Sequence, residues 1–273
     1  MVFSHHNSAG SVPARTVDGA GYGKVAIITG CASGVGLATT NLFLSHQYEV
    51  LGVDVHDIDY SKVNQECQES FHFHRGDLME EDECNEVVRI CVGKYGPKID
   101  VLANVAGVMD AFAAADVYTD KEWDRVMMIN LTVPTRMIRA VLPMMKAKGN
   151  GSIINVASKA AVSGAAAGVA YTASKHGLLG VTKNTAWRFH EEGIRCNAVL
   201  PGAITDTHLK DSLDPANFDA DSYGHQAPIH ALHSENPTIT PNEVANTILF
   251  LASDMAKAIN GVALPIDKAW GVI

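Results

Sequence analysis

Residues 24–36 read KVAIITGCASGVG, and this stretch decides the fold. The apolar, β-branched residues at its start predict a strand over 24–30 that is buried on both faces. Three glycines follow, Gly30, Gly34 and Gly36, and a helical pattern begins directly after them. Such a turn lets a ligand approach the backbone, and the helix N-terminus offers free N–H groups and the positive end of its dipole. The stretch therefore predicts a dinucleotide phosphate site, although its GxxxGxG spacing differs from the GxGxxG fingerprint.

Further short apolar runs alternate with longer helical patterns along the rest of the chain. Two helices have clear starts, because Thr119 with Glu122 and Thr240 with Glu243 each match a capping box. Strands that alternate with helices predict a parallel sheet covered on both faces. We therefore expect an α/β fold, a single doubly wound Rossmann domain with a parallel sheet of about seven strands. Beyond the first, the predicted strands cover 48–54, 70–76, 99–105, 151–158, 193–202 and 261–267.

The predicted domain covers residues 24–273, since no repeat, long linker or sharp change in composition interrupts it. Apolar residues make up 47% of the chain and charged residues 19%, which is typical of a globular protein. Residues 1–23 are polar and rich in glycine and serine, without the apolar stretch of a signal peptide. We expect these residues to form a mobile N-terminal extension.

Charge and cysteine content restrict the partners and the compartment. A formal net charge of −9 disfavours nucleic acid and anionic membranes as partners. No uninterrupted apolar run approaches the length of a membrane span. The five cysteines form no CxxC pair, which disfavours a disulfide framework or a cysteine zinc site. We therefore expect a cytoplasmic protein with no membrane and no nucleic acid partner.

Asp54 closes the second predicted strand, downstream of the glycine-rich turn. A carboxylate at this place accepts hydrogen bonds from both ribose hydroxyls of NAD and repels the 2′-phosphate of NADP. Ser33 and Val55 are uncharged, although an arginine or lysine at either position would bind that phosphate. The sequence therefore favours NAD over NADP as the cofactor. The alternative is that Asp54 merely begins a turn.

Tyr171 and Lys175 lie four residues apart in a helical stretch, so their side chains share one helix face. A cation about 5 Å from a phenol favours the phenolate by roughly 3 kcal/mol at an effective dielectric of about 20. The pair predicts a general acid/base whose pKa is lowered towards neutrality. Ser158 ends a predicted strand on the same rim of the sheet, where its hydroxyl would bond a substrate oxygen. Taken singly, these residues also fit a solvated pair and a turn serine.

Several motifs, in order along residues 24–267, resemble those of the short-chain dehydrogenase/reductase family. The matching pieces are TGCASGVG, Asp54, Asp77 in RGDL, NVAG at 104–107, Asn130 in MIN, Ser158, YTASK at 171–175 and NAVLPG. The resemblance implies a Rossmann-fold oxidoreductase that uses a nicotinamide cofactor. Each piece is weak alone, and it is their order that makes the match specific.

The resemblance also implies a role for each matched residue. Tyr171 would exchange the proton, Ser158 would polarise the substrate carbonyl, and Lys175 would lower the pKa of Tyr171 and bind the nicotinamide ribose. Asn130 would hold a water in a proton relay, unless it only kinks a helix. The implied catalytic residues are Asn130, Ser158, Tyr171 and Lys175. The implied cofactor-binding residues are Gly30, Ser33, Gly34, Val35, Gly36, Asp54, Asp77 (against adenine), Leu78, Asn104, Ala106, Gly107, Tyr171, Lys175, Ile204 and Thr205.

The sequence departs from the family pattern at three places. Val105 replaces the second asparagine of the usual NNAG, a motif that also fits a strand-end turn. In PGAITDT, Asp206 takes the place of a usual threonine, so either Thr205 substitutes for it or the loop is one residue shorter. The tail that ends in AWGVI lacks the usual glycine pair. It fits a subunit interface, the wall of the substrate pocket, or the domain's own core.

Residues 206–239 form a long connection after the sixth predicted strand, and connections of this length are often active-site lids. The segment mixes apolar side chains with His208, His225, His230 and His233. No HExxH-type pattern occurs and hydride transfer needs no metal, so we expect no metal site. An apolar lid over a small polar site suggests a hydrophobic substrate.

The sequence thus predicts an enzyme that moves a hydride between NAD(H) and a hydrophobic secondary alcohol or ketone, cyclic ones included. The alternative is a dinucleotide-binding protein with a sensing, scaffolding, isomerase-like or lyase-like role. The intact catalytic set favours the enzyme, because a protein that only binds the cofactor does not need it. Small and apolar residues on the helices after Thr119 and over 171–190 suggest pairing across a two-fold axis. We therefore expect a homodimer or homotetramer.

Overall fold

Seven parallel strands form one sheet in the order β3-β2-β1-β4-β5-β6-β7, which confirms the predicted doubly wound Rossmann fold. The computed structural model describes residues 21–205, 207, 209, 212–234 and 238–272. The strand order reverses between β1 and β4, and ligands of such sheets bind at this crevice, beyond the carboxyl ends of the strands. The strands are β1 (Val25–Thr29), β2 (Glu49–Asp54), β3 (Phe71–Arg75), β4 (Val101–Asn104), β5 (Gly151–Val156), β6 (Ile194–Pro201) and β7 (Ala263–Ile266).

Helices cover both faces of the sheet. The helices are α1 (Gly34–Ser45), α2 (Glu83–Tyr95), α3 (Asp120–Met127), α4 (Val133–Lys148), α5 (Val169–Phe189), α6 (Ala220–Ser234) and α7 (Pro241–Ala252). Helices α1 and α7 pack on one face, in an apolar cluster that includes Phe43 and Ile248. Helices α2, α4 and α5 contribute to the cluster on the other face, which includes Val87 and Met137. Burial on both faces explains why the strands are apolar throughout rather than alternating.

The two predicted capping boxes differ in outcome. At α7 the Thr240 hydroxyl accepts from the Glu243 N–H, and the Glu243 carboxylate accepts from the Thr240 N–H, so this box is confirmed. At α3 Thr119 also caps the helix, with its hydroxyl accepting from the Glu122 N–H at 3.3 Å. The Glu122 carboxylate instead accepts two hydrogen bonds from Arg125, at 2.9 and 3.0 Å. The prediction of a reciprocal box at Thr119 is therefore wrong, because a nearby guanidinium is the stronger partner for the carboxylate.

The described part of the predicted extension contacts the domain. The Gly21 N–H donates to the His46 carbonyl at 2.9 Å, and Lys98 Nζ donates to the Gly23 carbonyl at 2.9 Å. A Cβ on Gly21 would lie 1.9 Å from the Tyr48 ring, so the chain needs glycine for this close approach. Residues 21–23 therefore belong with the domain, and residues 1–20 lie outside the described residues.

The described residues also bear on membrane spans, metal ligands and disulfides. No described helix is long and apolar enough to cross a membrane. No group of three His, Cys, Asp or Glu side chains in the described ranges is placed to hold a metal ion. All five cysteines are free. Of the lid histidines, His208 lies outside the described residues.

The segment predicted as a lid contains α6 and lies over the loop that follows β4. The Ser212 hydroxyl accepts from the Met109 N–H at 2.8 Å, and the Asp219 N–H donates to the Ala111 carbonyl at 3.0 Å. This loop lies at the carboxyl ends of the strands, so the described part of the segment lies at the edge of the sheet where sites form, and its role as a lid stays a prediction.

Candidate active site

The glycine-rich turn after β1 has no room for side chains at two of its glycines. Gly30 has a left-handed φ of +71°, and a Cβ there would lie 2.9 Å from Ala106 Cα. A Cβ on Gly36 would lie 1.8 Å from the Gly30 carbonyl oxygen. The glycines therefore let the start of α1 pack tightly against the turn, and they bring the turn against the loop after β4.

The N-terminus of α1 fits the phosphates of a dinucleotide. Its N-cap, Ser33, has an extended backbone, yet its side chain makes no capping hydrogen bond within the described structure. The first N–H groups of a helix need acceptors, and bound phosphate oxygens supply them. Together with the close packing at Gly30 and Gly36, this N-terminus offers free N–H groups where the phosphates of a dinucleotide would bind.

Asp54 ends β2 beside this turn, and its side chain is only 9% exposed. One carboxylate oxygen accepts from the Ala32 N–H at 3.0 Å and the other from the His56 N–H at 2.9 Å. Asp54 thus holds the glycine-rich turn in place, which is the turn role left open in the sequence. A carboxylate oxygen can accept a second hydrogen bond, so this role does not compete with ribose binding.

The NVAG segment joins the carboxyl ends of β1, β4 and β5. The Thr29 hydroxyl accepts from the N–H groups of Val105 and Ala106, at 3.0 and 3.1 Å. The Asn104 side chain is buried and donates to the Asn155 side chain at 2.8 Å. Asn104 therefore supports the sheet, whereas the backbone of Ala106 faces the glycine-rich turn. The role of Thr29 is missing from the predicted set, although the residue stands at the end of the first predicted strand.

Ser158, Tyr171 and Lys175 come together at the carboxyl rim, as their spacing predicts. Tyr171 and Lys175 lie in the first two turns of α5, and Lys175 Nζ is 5.4 Å from the centroid of the Tyr171 ring. Lys175 is 4% exposed and donates to the Val156 carbonyl at 2.9 Å. The Ser158 side chain hydrogen-bonds to Tyr171 and also accepts from the Ala160 N–H at 3.1 Å. These contacts place a hydroxyl, a phenol and an ammonium group around one point.

Burial dominates the ionisation of this pair. It raises the pKa of Tyr171 to about 12, while the hydrogen bond with Ser158 lowers it and the Asp110 carboxylate raises it. Burial also lowers the pKa of Lys175 to about 8. The sequence predicts a lowered pKa for Tyr171, and for the protein alone this is wrong, because desolvation disfavours the phenolate.

Asn130 lies in a π-helical turn, Met128–Thr132, between α3 and α4. Its fully buried side chain accepts from the Val108 N–H and donates to the Val108 carbonyl, both at 2.9 Å. A Cβ on Gly107 would lie 3.2 Å from Asn130 Oδ1 and 3.5 Å from Lys175 Nζ, so both side chains approach Gly107. Asn130 thus both marks a helix irregularity and fixes the loop after β4 beside Lys175. The proton-relay role stays a prediction.

Asp77 and Leu78 follow β3, the edge strand that pairs with β2, and Asp54 ends β2. Asp77 is partly exposed, and its carboxylate accepts from the Met79 N–H at 3.0 Å. Leu78 is 8% exposed and packs into the apolar cluster that contains Val87. Asp77 is therefore available to a ligand, while the Leu78 side chain serves mainly as core.

The loop after β6 places its threonines differently from the expectation. Ile204 forms a parallel bridge with Ile239, and the Thr205 hydroxyl donates to the Ile239 carbonyl at 3.4 Å. Thr207 instead lies beside the glycine-rich turn, because a Cβ on Gly34 would lie 3.4 Å from its methyl group. Thr207 is thus the threonine nearer the cofactor cradle, and Asp206 lies outside the described residues. A second threonine two positions after Thr205 is the signal that could have found it.

Apolar and aromatic side chains enclose the catalytic group. Trp270, from the C-terminal tail, is 7% exposed and packs in one cluster with Tyr171, Ala160 and Ile229. Its indole N–H donates to the Ile229 carbonyl of α6 at 3.2 Å. Trp270 is therefore buried within the domain beside Tyr171, a placement that fits both the domain's own core and the wall of a substrate pocket. Contacts between aromatic rings connect this cluster with α6 and with the loop after β4. The rings in contact are those of Phe112, Phe218, Tyr223, His230 and Trp270.

Asp110 is a buried acid next to Tyr171 that is missing from the predicted set. It is 1% exposed, and one of its oxygens accepts from the Tyr171 N–H at 2.8 Å. The signal in the sequence was its isolation, since Asp110 is the only charged residue in the apolar run 105–115. A lone acid in such a run is either paired or hydrogen-bonded when buried.

Comparisons with known proteins identify the family and agree with the fold. The family model for short chain dehydrogenases matches residues 24–217. The short-chain dehydrogenase/reductase cdmF of Talaromyces verruculosus is 46% identical over 253 residues, which cover 91% of this chain and 97% of the relative. Asnovolin H dehydrogenase nvfC of Aspergillus novofumigatus is also 46% identical, with the same coverage. The crystal structure of levodione reductase matches with a TM-score of 0.81 and 27% identity, covering 92% of this chain and 99% of that one.

Proposed function

Because this chain belongs to the short-chain dehydrogenase family, a family of nicotinamide-dependent oxidoreductases, we propose that it moves a hydride between NAD(H) and a hydrophobic secondary alcohol or ketone. The observation that carries the proposal is the meeting of Ser158, Tyr171 and Lys175 at the carboxyl rim of the sheet. Proton donor, cofactor cradle and apolar wall lie at one edge, which is the arrangement that hydride transfer to a carbonyl requires.

The proposed cofactor is NAD rather than NADP. The Asp54 carboxylate lies at the end of β2 beside the turn, where it would accept hydrogen bonds from the adenosine ribose of a dinucleotide held at α1. A 2′-phosphate would meet this negative charge, and Ser33 and Val55 offer no compensating cation. The glycine-rich turn and the α1 N-terminus would hold the pyrophosphate, and Asp77 would contact the adenine. The bound nicotinamide would supply or accept the hydride.

The chain's own residues would then exchange the proton and bind the substrate oxygen. The Tyr171 hydroxyl donates the proton when a ketone is reduced and accepts it when an alcohol is oxidised. Ser158 hydrogen-bonds the same oxygen and keeps it close to Tyr171. Lys175 stabilises the phenolate electrostatically and would bind the nicotinamide ribose when the cofactor is present. Asn130 fixes the loop beside Lys175, and it would also hold a water in the proton relay.

The substrate class follows from the pocket wall. Trp270, Ile229 and Ala160 surround the phenol with apolar surface, and the rings of the lid extend that surface away from the rim. A ligand that lies against this surface would gain affinity by burying apolar area. A bulky, cyclic secondary alcohol or ketone fits this environment. The relatives whose printed names state a chemistry are dehydrogenases or a reductase, and they do not favour a sensing or scaffolding role.

We further propose that the enzyme is a homodimer or homotetramer. A groove of about 420 Å³ runs between α4 and α5, lined by Ile138, Leu142 and Val181 among others. Trp187, near the end of α5, is 77% exposed. Apolar surface of this kind on two long helices suits a second copy of the chain, related by a two-fold axis. A cytoplasmic location also belongs to the proposal, because five free cysteines suit a reducing compartment.

A substrate panel tests the proposal. Hydrophobic secondary alcohols and ketones, cyclic and open-chain, are incubated with the purified protein and NAD(H) or NADP(H), and NADH absorbance is followed. We expect turnover with NAD(H) on at least the cyclic members and little turnover on short polar alcohols. Redox turnover with none of them, together with tight NADH binding, would instead favour the non-redox alternative.

A further inference from the structure

Helix α5 carries Tyr171 in its first turn, yet its own N-cap residue cannot cap it. The N-cap is Gly168, which has no side chain to accept a hydrogen bond. The first N–H groups of a helix are left without intrahelical partners, and a capping side chain usually satisfies one of them. The catalytic helix therefore depends on acceptors from elsewhere in the chain.

Asp110 supplies these acceptors from a loop 58 residues earlier. Its Oδ1 accepts from the Gly168 N–H at 3.1 Å, and its Oδ2 accepts from the Tyr171 N–H at 2.8 Å. These are the N-cap and third helical positions, the pair that a local capping box satisfies. The Ala113 carbonyl accepts from the Val169 N–H at 2.9 Å, so the same loop holds three donors of the helix start.

The environment makes this cap rigid. Asp110 is 1% exposed, and a Cβ on Gly168 would lie 2.5 Å from its Oδ2, so the carboxylate fills the available space. Three backbone N–H groups donate to it, including that of Phe112 at 3.2 Å. Burial raises the pKa of Asp110, and these hydrogen bonds lower it. The positive end of the α5 dipole also favours the carboxylate.

The far end of the loop binds the lid. The Ala111 carbonyl accepts from the Asp219 N–H at 3.0 Å, and the Ala114 N–H donates to the Asp219 carboxylate at 3.3 Å. Phe112 adopts a left-handed φ of +62°, and its ring contacts that of Tyr223 on α6 at 5.0 Å between centroids. A non-glycine residue in this region is strained, and such strain persists only where surrounding contacts hold it. The loop thus links the start of the lid to the start of the catalytic helix.

We propose that Asp110 is a positioning residue, which fixes Tyr171 for proton exchange by capping α5 from the loop after β4. The inference rests on the proposed function, because it assigns Asp110 a part in the reaction that Tyr171 is proposed to perform. The Asp110 carboxylate is bonded to backbone N–H groups, so it acts through the Tyr171 backbone and through its negative charge near the phenol. Misplacement of a reacting group by about 1 Å can cost on the order of 100-fold in rate.

The charge of Asp110 and its role in positioning Tyr171 would affect the pH dependence of alcohol oxidation differently. Among the described residues, the charged or titratable groups placed around Tyr171 are Lys175, Lys159, Asp110, Glu122, Arg125, His230 and Asp267. The Asp110 carboxylate raises the pKa of Tyr171. Its replacement by a neutral amide therefore moves the basic limb of alcohol oxidation to lower pH. A purely structural loss leaves that limb in place.

The test compares Asp110→Asn, Gly168→Ala and the control Asp100→Asn. Asp100 is also a buried acid that accepts a backbone N–H, from Val25 at 2.9 Å, but it lies at the amino ends of the strands. For Asp110→Asn we expect kcat to fall by about 10- to 100-fold, with unchanged NADH affinity and the limb displaced to lower pH. Gly168→Ala keeps the charge and displaces the carboxylate, so kcat should fall while the limb stays. Asp100→Asn should lower the Tm without changing kcat.

Hydrogen exchange separates the inference from the proposed function. Exchange of the amides in the segment 168–175 should accelerate in Asp110→Asn and not in Asp100→Asn, whatever reaction the protein performs. Unchanged exchange there would overturn the cap, and wild-type kcat in folded Asp110→Asn would overturn the positioning role. If Asp110→Asn does not fold, wild-type kcat in Gly168→Ala overturns the inference. Failure of the proposed function would give different results. Either the wild-type protein would show no redox turnover, or the Tyr171→Phe variant would be active.

Discussion

Replacing Lys175 by methionine removes the cation beside the proposed acid/base while keeping an unbranched chain of similar length. Lys175 Nζ lies 5.4 Å from the Tyr171 ring centroid, so at an effective dielectric of about 20 the cation stabilises the phenolate by about 3 kcal/mol, or about two pK units. Groups this close lose protons as a pair, and burial lowers the pKa of Lys175 to about 8. Methionine removes this stabilisation, while the burial that raises the pKa of Tyr171 remains. The basic limb of alcohol oxidation should therefore move upward by at least about two pH units.

The assay is kcat/KM for alcohol oxidation with saturating NAD, from about pH 6 to about pH 10. Lys183→Met is the matched control, because Lys183 is an exposed lysine two turns further along the same helix. Its profile should overlay that of the wild type. A Lys175→Met profile that falls equally at every pH, with the limb unmoved, would refute the electrostatic role and leave only ribose binding.

Three other perturbations test other parts of the site. Asp54→Ser should raise kcat/KM with NADP relative to NAD. It should also lower the Tm, because the Ala32 N–H loses its charged acceptor. The control Asp57→Ser changes an exposed residue three positions further on and should have neither effect. Trp270→Ala should lower kcat/KM for bulky apolar substrates by about 10-fold or more, whereas Trp270→Phe keeps a ring and should lose less. Val181→Asp places a charge in the groove between α4 and α5, so light scattering should show a smaller particle than the wild type; a wild type already monomeric at micromolar concentration contradicts the proposed oligomer.

The fold could be predicted from the sequence because the patterns that indicate it are local. Buried parallel strands are apolar throughout, as over 24–30, and the turn after the first strand needs glycine for steric reasons that Gly30 and Gly36 display. The spacing of Tyr171 and Lys175 on one helix is a matter of helix geometry alone. The capping box at Thr240 is equally local, and it formed as expected.

The missed features depend on contacts between distant segments. The Glu122 carboxylate had two partners available, and only the folded arrangement shows that Arg125 is preferred over the Thr119 N–H. Asp110 stands alone in an apolar run, which marks it as a hydrogen-bonded acid if buried, but the helix that it caps lies 58 residues away and no local pattern identifies it. The direction of the Tyr171 pKa was also misjudged, because spacing reveals the nearby cation but not the complete burial of the phenol. In each case the missing quantity was the environment that tertiary packing creates.

The central claim is that Tyr171 exchanges the proton, and Tyr171→Phe tests it most directly. The substitution keeps the ring and its packing in the cluster with Trp270, and it deletes only the hydroxyl. We expect kcat on a substrate that the wild type turns over to fall by about 10²- to 10⁴-fold, with NADH affinity and Tm close to those of the wild type. Near-full turnover by a folded Tyr171→Phe enzyme would contradict the mechanism and assign the proton to another group.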